Sequence, residues 1–443
     1  MRTDAIDRML IIPMTRFINN STTSGIVLFI SAVLALILAN SPLKDAYHHL
    51  WEHKFTIGFD QYAISKSIHH WINDGLMSIF FFVVGLELKR EIVGGHLSNV
   101  KDALLPMVAG LGGMVVPAAI YLFFNSSGEA SNGWGVPMAT DIAFALGIIY
   151  TLGNRVPVAL KVFLTALAIA DDLGAVLVIA FFYTSDISGE SLLIGGGFLG
   201  VLIVSNLLGV RNVIYYGVVG IIGLWLAFLL SGVHATVAGV LAAFTIPANV
   251  KIQDRRFMRK MKKLTMDFEN LTPNDVSLVT HDQLHVIEKI RFYARNALTP
   301  LQRLEHSMHP IVAFVVMPIF ALANAGITFS GGIIDNILSN VSLGVIFGLV
   351  VGKFVGITAM CKLLVKFKLA KLPESMNWKH VYGASLLAAV GFTMSLFITD
   401  LAFSDPLFKM ESKAGIFIAS IIGGTLGYFL LKSAGKDAEI EST

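Results

Sequence analysis

Long apolar runs separated by short polar breaks repeat along the whole chain. Twelve read as membrane-spanning helices, at approximately 23–40, 69–88, 103–124, 136–153, 156–183, 191–209, 213–230, 232–249, 310–327, 341–365, 379–399 and 414–431. About 20 apolar residues at 1.5 Å rise are enough to cross a bilayer core. A transmembrane barrel would instead alternate apolar and polar residues in short strands. The pattern therefore predicts an all-α polytopic membrane protein. It divides into a segment 1–22, spans at 23–249, a soluble loop at 250–309, spans at 310–431 and a tail at 432–443.

The fifth run, from Val156 to Tyr183, carries two adjacent acids in its middle, Asp171 and Asp172. Each acid at the bilayer centre costs about 2.5–3.5 kcal/mol on insertion scales, which marks a functional cation or proton site. Neighbours on a helix point about 100° apart, so one acid can face a partner helix while the other faces a cavity. A helix end with its acids in water is the plain alternative. It fits poorly, because Leu173 to Tyr183 continue the apolar run.

Two runs are interrupted. The fourth mixes Pro137, Thr140, Asp141 and Gly147, and the eleventh carries Gly391-Phe392-Thr393-Met394-Ser395. Irregular backbone at membrane depth is tolerated where it is buried or lines a cavity, and a pair of broken spans in corresponding halves points to a transporter site. The tenth run has glycines at strict four-residue spacing, Gly344, Gly348, Gly352 and Gly356, a stripe for close helix packing. Lys353 beside it lies too deep to stay charged without an acid, and Asp141 and Asp171 are the candidates. Lys161 and Lys362 lie nearer span ends and are expected to snorkel.

Composition narrows the class. The chain is 55% hydrophobic and 14% charged, with mean hydropathy +0.72, which excludes a set of soluble domains as the main architecture. The single cysteine, Cys361, excludes an intrachain disulfide framework and a multi-cysteine metal site. The first 22 residues hold Arg2, Arg8 and Arg16 without a continuous apolar core, so no cleavable signal is expected. Lys44, Lys54, Lys66, Lys409 and Lys413 fall in loops on one side, and Lys161, Lys353 and Lys362 fall within spans. All other Lys and Arg residues lie on the side of the N-terminus, which predicts both termini in the cytoplasm.

Titratable groups cluster at span ends. The second span opens with His69, His70 and Asp74 and closes with Glu87, Lys89, Arg90 and Glu91. The closing cluster reads either as a solvated helix end or as the place where a cytoplasmic cation first meets the protein. His234 opens the eighth span and reads more simply as a packed histidine. Loop 250–309 has a basic run, Arg255 to Lys263, suited to anionic headgroups and too short for nucleic acid. It also has a candidate helix with Leu284, Ile287 and Ile290 on one face, and it ends in Glu305, His306 and His309. The loop 41–68, with Phe55, Ile57 and Phe59 in alternation, reads as a small hairpin or an irregular loop.

These segments resemble one family, the NhaA-type bacterial sodium/proton antiporters. The likeness rests on Trp71-Ile72-Asn73-Asp74, Gly85 to Glu91, Ala139 to Gly147, Ala168 to Ala175, Ser231 to Thr236, Arg303 to His306, Ala321 to Gly326 and Gly391 to Ser395. It implies inverted repeats at spans 3–5 and 10–12, two broken helices that cross near the midplane, and a bacterial inner-membrane location. It implies that Asp171, Asp172 and Thr140 bind sodium and protons, with Asp172 the more central ligand. It makes Asp141 and Lys353 charge-compensating, with Lys353 paired to Asp171. It assigns pH regulation to Glu87, Arg90, Glu91, His234, Glu305, His306 and His309, and a supporting role to Asp74. It implies a homodimer through loop 41–68 and no resident cofactor beyond the transported Na+, Li+ and H+. The loop before Glu305 is longer than the family's usual connection.

Two carboxylates in a poorly solvated site cannot both ionise cheaply, so protons and a cation are expected to compete for the same oxygens. That predicts an antiporter rather than an enzyme. The rivals are a passive cation channel and an intramembrane aspartyl protease, for which Asp141 and Asp172 would have to share a proton.

Overall fold

The computed structural model describes residues 21–58, 63–184, 187–271, 278–328 and 336–441. The segment 1–20, Phe59 of the expected hairpin and the last two residues of the tail fall outside them. In chain order the elements are α1 (Ser21–Ala39), α2 (Lys44–Glu52), β1 (Lys54–Ile57), β2 (Ile64–Ser67), α3 (68–94), α4 (Val100–Phe124), a 3-10 helix (Glu129–Met138) running into α5 (Ile142–Thr151), and α6 (Val158–Phe182). There follow α7 (Gly189–Leu207), α8 (Val213–Ser231), α9 (Ala235–Thr245), α10 (Asp254–Glu269) and α11 (His281–Ala297). The chain closes with α12 (Pro300–Asn324), α13 (Asn340–Lys366), α14 (Trp378–Leu387), α15 (Phe392–Ala402) and α16 (Pro406–Glu441).

Helix covers most of each predicted span, with a break at residues 139–141 of the fourth and only the 11 residues of α9 in the eighth, and the protein is an all-α membrane protein. Among the described residues, eight helices are long and apolar enough to cross a bilayer unaided. The eleventh span is a bent pair, α14 and α15 meeting at 45°. The ninth span begins earlier than its apolar run, because Thr299 caps α12 with a capping box and Pro300 sits in its first turn. Glu305, His306 and His309 are therefore helical residues continuous with that span. The residues between α2 and α3 form an antiparallel hairpin that pairs Lys54 with Ser67 and Ile57 with Ile64. Trp71 donates its indole N–H to the Phe55 carbonyl (2.9 Å) and ties the hairpin to α3. This end of the bundle is the hairpin end; the opposite end, with Lys89, Arg90, α10 and α11, is the basic end.

Small residues bring the spans together. A methyl on Gly85 of α3 would meet Ala243 of α9 at 2.7 Å, and one on Gly239 of α9 would meet the Ser78 carbonyl at 2.4 Å. The glycine stripe of α13 lies on α4. A methyl on Gly356 would stand 2.1 Å from the Gly112 carbonyl, and one on Gly352 would stand 2.7 Å from the Pro117 Cα. These contacts are backbone, which cannot rotate away. Gly356→Ala is expected to destabilise the protein by about 1–3 kcal/mol, the usual cost of overpacking, read as a lower melting temperature in detergent. Gly94→Ala, where a methyl meets nothing within 4 Å, is the matched control.

In α11 the predicted apolar face is not the packed one. Leu284 and Ile287 are 44% and 39% exposed, while Gln283 and Val286 are buried. The helix is capped at its start by a Thr280–Gln283 capping box.

Candidate functional site

Asp171 and Asp172 fall in the middle turns of α6, both buried. The fourth and eleventh spans break beside them. In the fourth, Ala139, Thr140 and Asp141 separate the 3-10 helix from α5; in the eleventh, residues 388–391 separate α14 from α15. The two breaks are bonded to each other. The Asp141 amide donates to the Val390 carbonyl (2.7 Å), and the Thr140 hydroxyl reaches the Ala388 carbonyl (3.0 Å). Gly391 is needed at this crossing, since a methyl there would sit 3.1 Å from the Ala139 carbonyl.

Asp141 caps two half-helices at once. Its Oδ1 accepts from the Phe144 amide of α5 (3.0 Å), and its Oδ2 accepts from the Thr393 amide of α15 (3.1 Å) and from the Thr393 hydroxyl. Both helix N-termini present partial positive charge to this carboxylate. Both of its oxygens accept bonds from these caps.

Asp171 is held differently. Its Oδ2 accepts from the Lys353 ammonium and from the Thr140 hydroxyl (2.8 Å). Lys353 and Asp171 are each 0% exposed, so the pair is dry on both sides. The α13–α4 packing delivers Lys353: a π-helical turn at Gly348–Gly352 immediately precedes it, and a methyl on Gly113 of α4 would meet Ile357, one turn further along α13, at 2.9 Å. Asp171 Oδ1 and Asp172 Oδ1 are buried without a hydrogen-bond partner. Asp172 follows Asp171 directly in α6 and is 1% exposed. Thr140, Asp141, Asp171, Asp172 and Lys353 thus converge on one place.

The chain matches the family described as Na+/H+ antiporter 1 over residues 15–431. It is 50% identical over 437 residues to the Na(+)/H(+) antiporter NhaA of Oleidesulfovibrio alaskensis, covering 98% of this chain and 97% of that one. It is 47% identical to NhaA 1 of Saccharophagus degradans, covering 97% and 94%, and 47% identical to NhaA of Acidithiobacillus ferrooxidans, covering 95% and 97%. The chain belongs to the Na+/H+ antiporter 1 family.

In this family member the other predicted residues form separate groups. At the basic end, Arg90 bridges Glu91 (2.8 Å) and Glu305, joining α3 to α12. Glu91 also accepts from the His96 amide (2.9 Å). Glu87 lies one turn further into the same helix, and His306 and His309 are exposed on α12. Lys89 donates to the Phe244 carbonyl (2.6 Å) and to that of Ile246, closing the end of α9. Toward the hairpin end, Asp74 pairs with His70 (2.9 Å). His234 sits just before α9, its Nε2 2.8 Å from the Tyr183 carbonyl at the end of α6.

Some residues of this architecture had no separate signal in the chain. Thr393 was legible only as part of an interrupted run, and its double bond to Asp141 depends on the crossing. Asp400 lay one residue past the predicted end of the eleventh span, although α15 continues to Ala402.

Proposed function

We propose that this protein exchanges cytoplasmic Na+ or Li+ for external protons at Asp171 and Asp172, with Thr140 as a third oxygen donor. One observation carries the reading: two adjacent, buried carboxylates each keep one oxygen free of hydrogen bonds beside the crossing of two broken spans. Carboxylate and hydroxyl oxygens suit a small hard cation. The relatives' own names, Na(+)/H(+) antiporter, support the same pair of ions.

Asp172 is the exchanging acid in this scheme. Two adjacent buried acids cannot both ionise cheaply, so Asp172 carries either a proton or a cation. The Thr140 hydroxyl has one proton between two acceptors, Asp171 Oδ2 and the Ala388 carbonyl. Turned toward Ala388, it leaves its lone pairs for a cation on the Asp171 side. Asp141, fixed by the two caps, serves as a permanent counter-charge, and Lys353 balances Asp171. Alternating access then rocks the broken spans against α3 and α9, opening the pair to one end at a time.

The basic end is assigned to the cytoplasm by its Lys and Arg content. The run Arg255 to Lys263 lies on anionic lipid there. At the opposite end, the four exposed residues of β1 offer an edge for pairing with a second copy.

The group Glu87, Arg90, Glu91 and Glu305, with His306 and His309, is the proposed pH control. His234 and Asp74 support it from the other end. Arg90 bridges Glu91 and Glu305, and an opposite charge close by favours the ionised form of a carboxyl group. Arg90→Gln is therefore expected to move the onset of exchange to more alkaline pH while leaving the plateau rate intact. A pH series of initial rates checks this, and an unmoved onset would remove Arg90 from the control group.

Reconstituted vesicles test the function as a whole. Sodium added to acid-loaded vesicles is expected to release protons, seen as dequenching of a pH-sensitive dye. A sodium flux that proceeds without proton movement would favour a channel instead.

A further inference from the structure

A second buried acid lies away from the ion site. Asp400, in the last turn of α15, has a side chain only 5% exposed. Asn73 of α3 donates to its Oδ2 (3.2 Å), and His69 Nε2 stands 3.6 Å from the same oxygen. Lys413 and Lys409 of α16 approach its Oδ1 at 3.6 and 4.0 Å. The ring closes through α12. Asn324 donates to Asn73 Oδ1 (2.9 Å), and its own Oδ1 lies 2.9 Å from His69 Nε2. Six side chains from four elements meet here. A buried carboxylate is tolerable only with such partners.

The placement gives the ring a lever. α15 has 11 residues, a rod about 16 Å long. Thr393 at its start is bonded to Asp141 at the crossing; Asp400 at its far end is bonded to Asn73 of α3 and paired with Lys409 and Lys413 of α16, and Asn324 of α12 joins through Asn73 and His69. Among its members the His69 and Lys409 side chains are the most exposed, 34% and 31%, and His69 lies two residues past the hairpin's last paired residue, Ser67.

We propose that Asp400 is a positioning residue for exchange: it latches the outer half of the eleventh span against α3 and α16, and this latch opens when the ion site faces the hairpin end. The proposal rests on the antiport reading above. Weakening the latch raises the population of the state open to that end. The apparent affinity measured from that end rises in proportion to the competent fraction.

The test uses the full chain with Asp400→Asn, which keeps the shape and removes the charge. In vesicles of defined orientation, the half-saturating Na+ at the hairpin end is expected to fall on the order of fivefold, the low range of a coupling between sites. At the basic end it should not fall. An unchanged or raised value at the hairpin end, or an equal fall at both ends, would overturn the proposal, since a general loss of structure does not distinguish the two faces. Backbone hydrogen exchange gives a readout independent of transport. Residues 392–402 are expected to exchange faster in the variant while 378–387 stay unchanged; equal protection in both would equally overturn it. If Asp400→Asn does not yield a monodisperse protein, His69→Gln is read the same way. An inactive wild-type protein would refute the antiport reading, leaving the hydrogen-exchange result to decide the latch.

Discussion

Asp172→Asn is expected to reduce sodium-driven proton movement to the level of empty vesicles while the protein stays folded. The substitution is nearly isosteric, and Asp172 Oδ1 has no hydrogen-bond partner to lose. Burial of a charge opposes folding, so removing it should leave the melting temperature unchanged or raise it. The amide cannot carry a proton and a cation in alternation, so the exchange step itself disappears. Dequenching of a pH dye measures the loss, and size exclusion with thermal unfolding measures the fold. Residual exchange near the wild-type rate would show that Asp172 is not the exchanging acid.

Lys353→Ala has the second large effect, and on stability as well as transport. Lys353 and Asp171 share a site that is 0% exposed for both side chains. Removing one partner of a buried pair costs about 3–5 kcal/mol, because the other charge is left alone. A large drop in melting temperature is expected, together with loss of exchange. The double variant Lys353→Ala/Asp171→Asn should recover much of the stability, since neither charge then remains. Lys353→Arg separates two roles. As a charge balancer Lys353 can be replaced by Arg with some exchange retained. Complete loss with Arg would mean that Lys353 must give up a proton during the cycle, which a guanidinium does not do.

The spans were legible because apolar length has a direct physical meaning in a bilayer, and Asp171 and Asp172 stood out as charges in the middle of one. The break in the fourth span was visible from Pro137, Thr140 and Asp141. What joins these parts was not visible. That Asp141 caps α15 through Thr393 is a contact across 252 residues of chain, and no local pattern encodes it. The Asp400 ring was hidden for another reason. Apolar character fades near residue 399, but the helix runs on to Ala402, and Lys409 and Lys413 belong to the first turns of α16 rather than to a loop. Charges there looked solvated, although Asp400 is buried. In α11 the expected face of Leu284 and Ile287 stays exposed, while Gln283 and Val286 beside it are buried.

The central claim is that sodium and protons take turns on one buried acid pair. Proton release on sodium binding to the purified protein in weakly buffered detergent solution tests it most directly. Wild type is expected to release protons saturably, with sodium affinity falling as the pH is lowered, and Asp172→Asn should release none. Sodium binding that frees no protons, or whose affinity does not change with pH, would contradict the account.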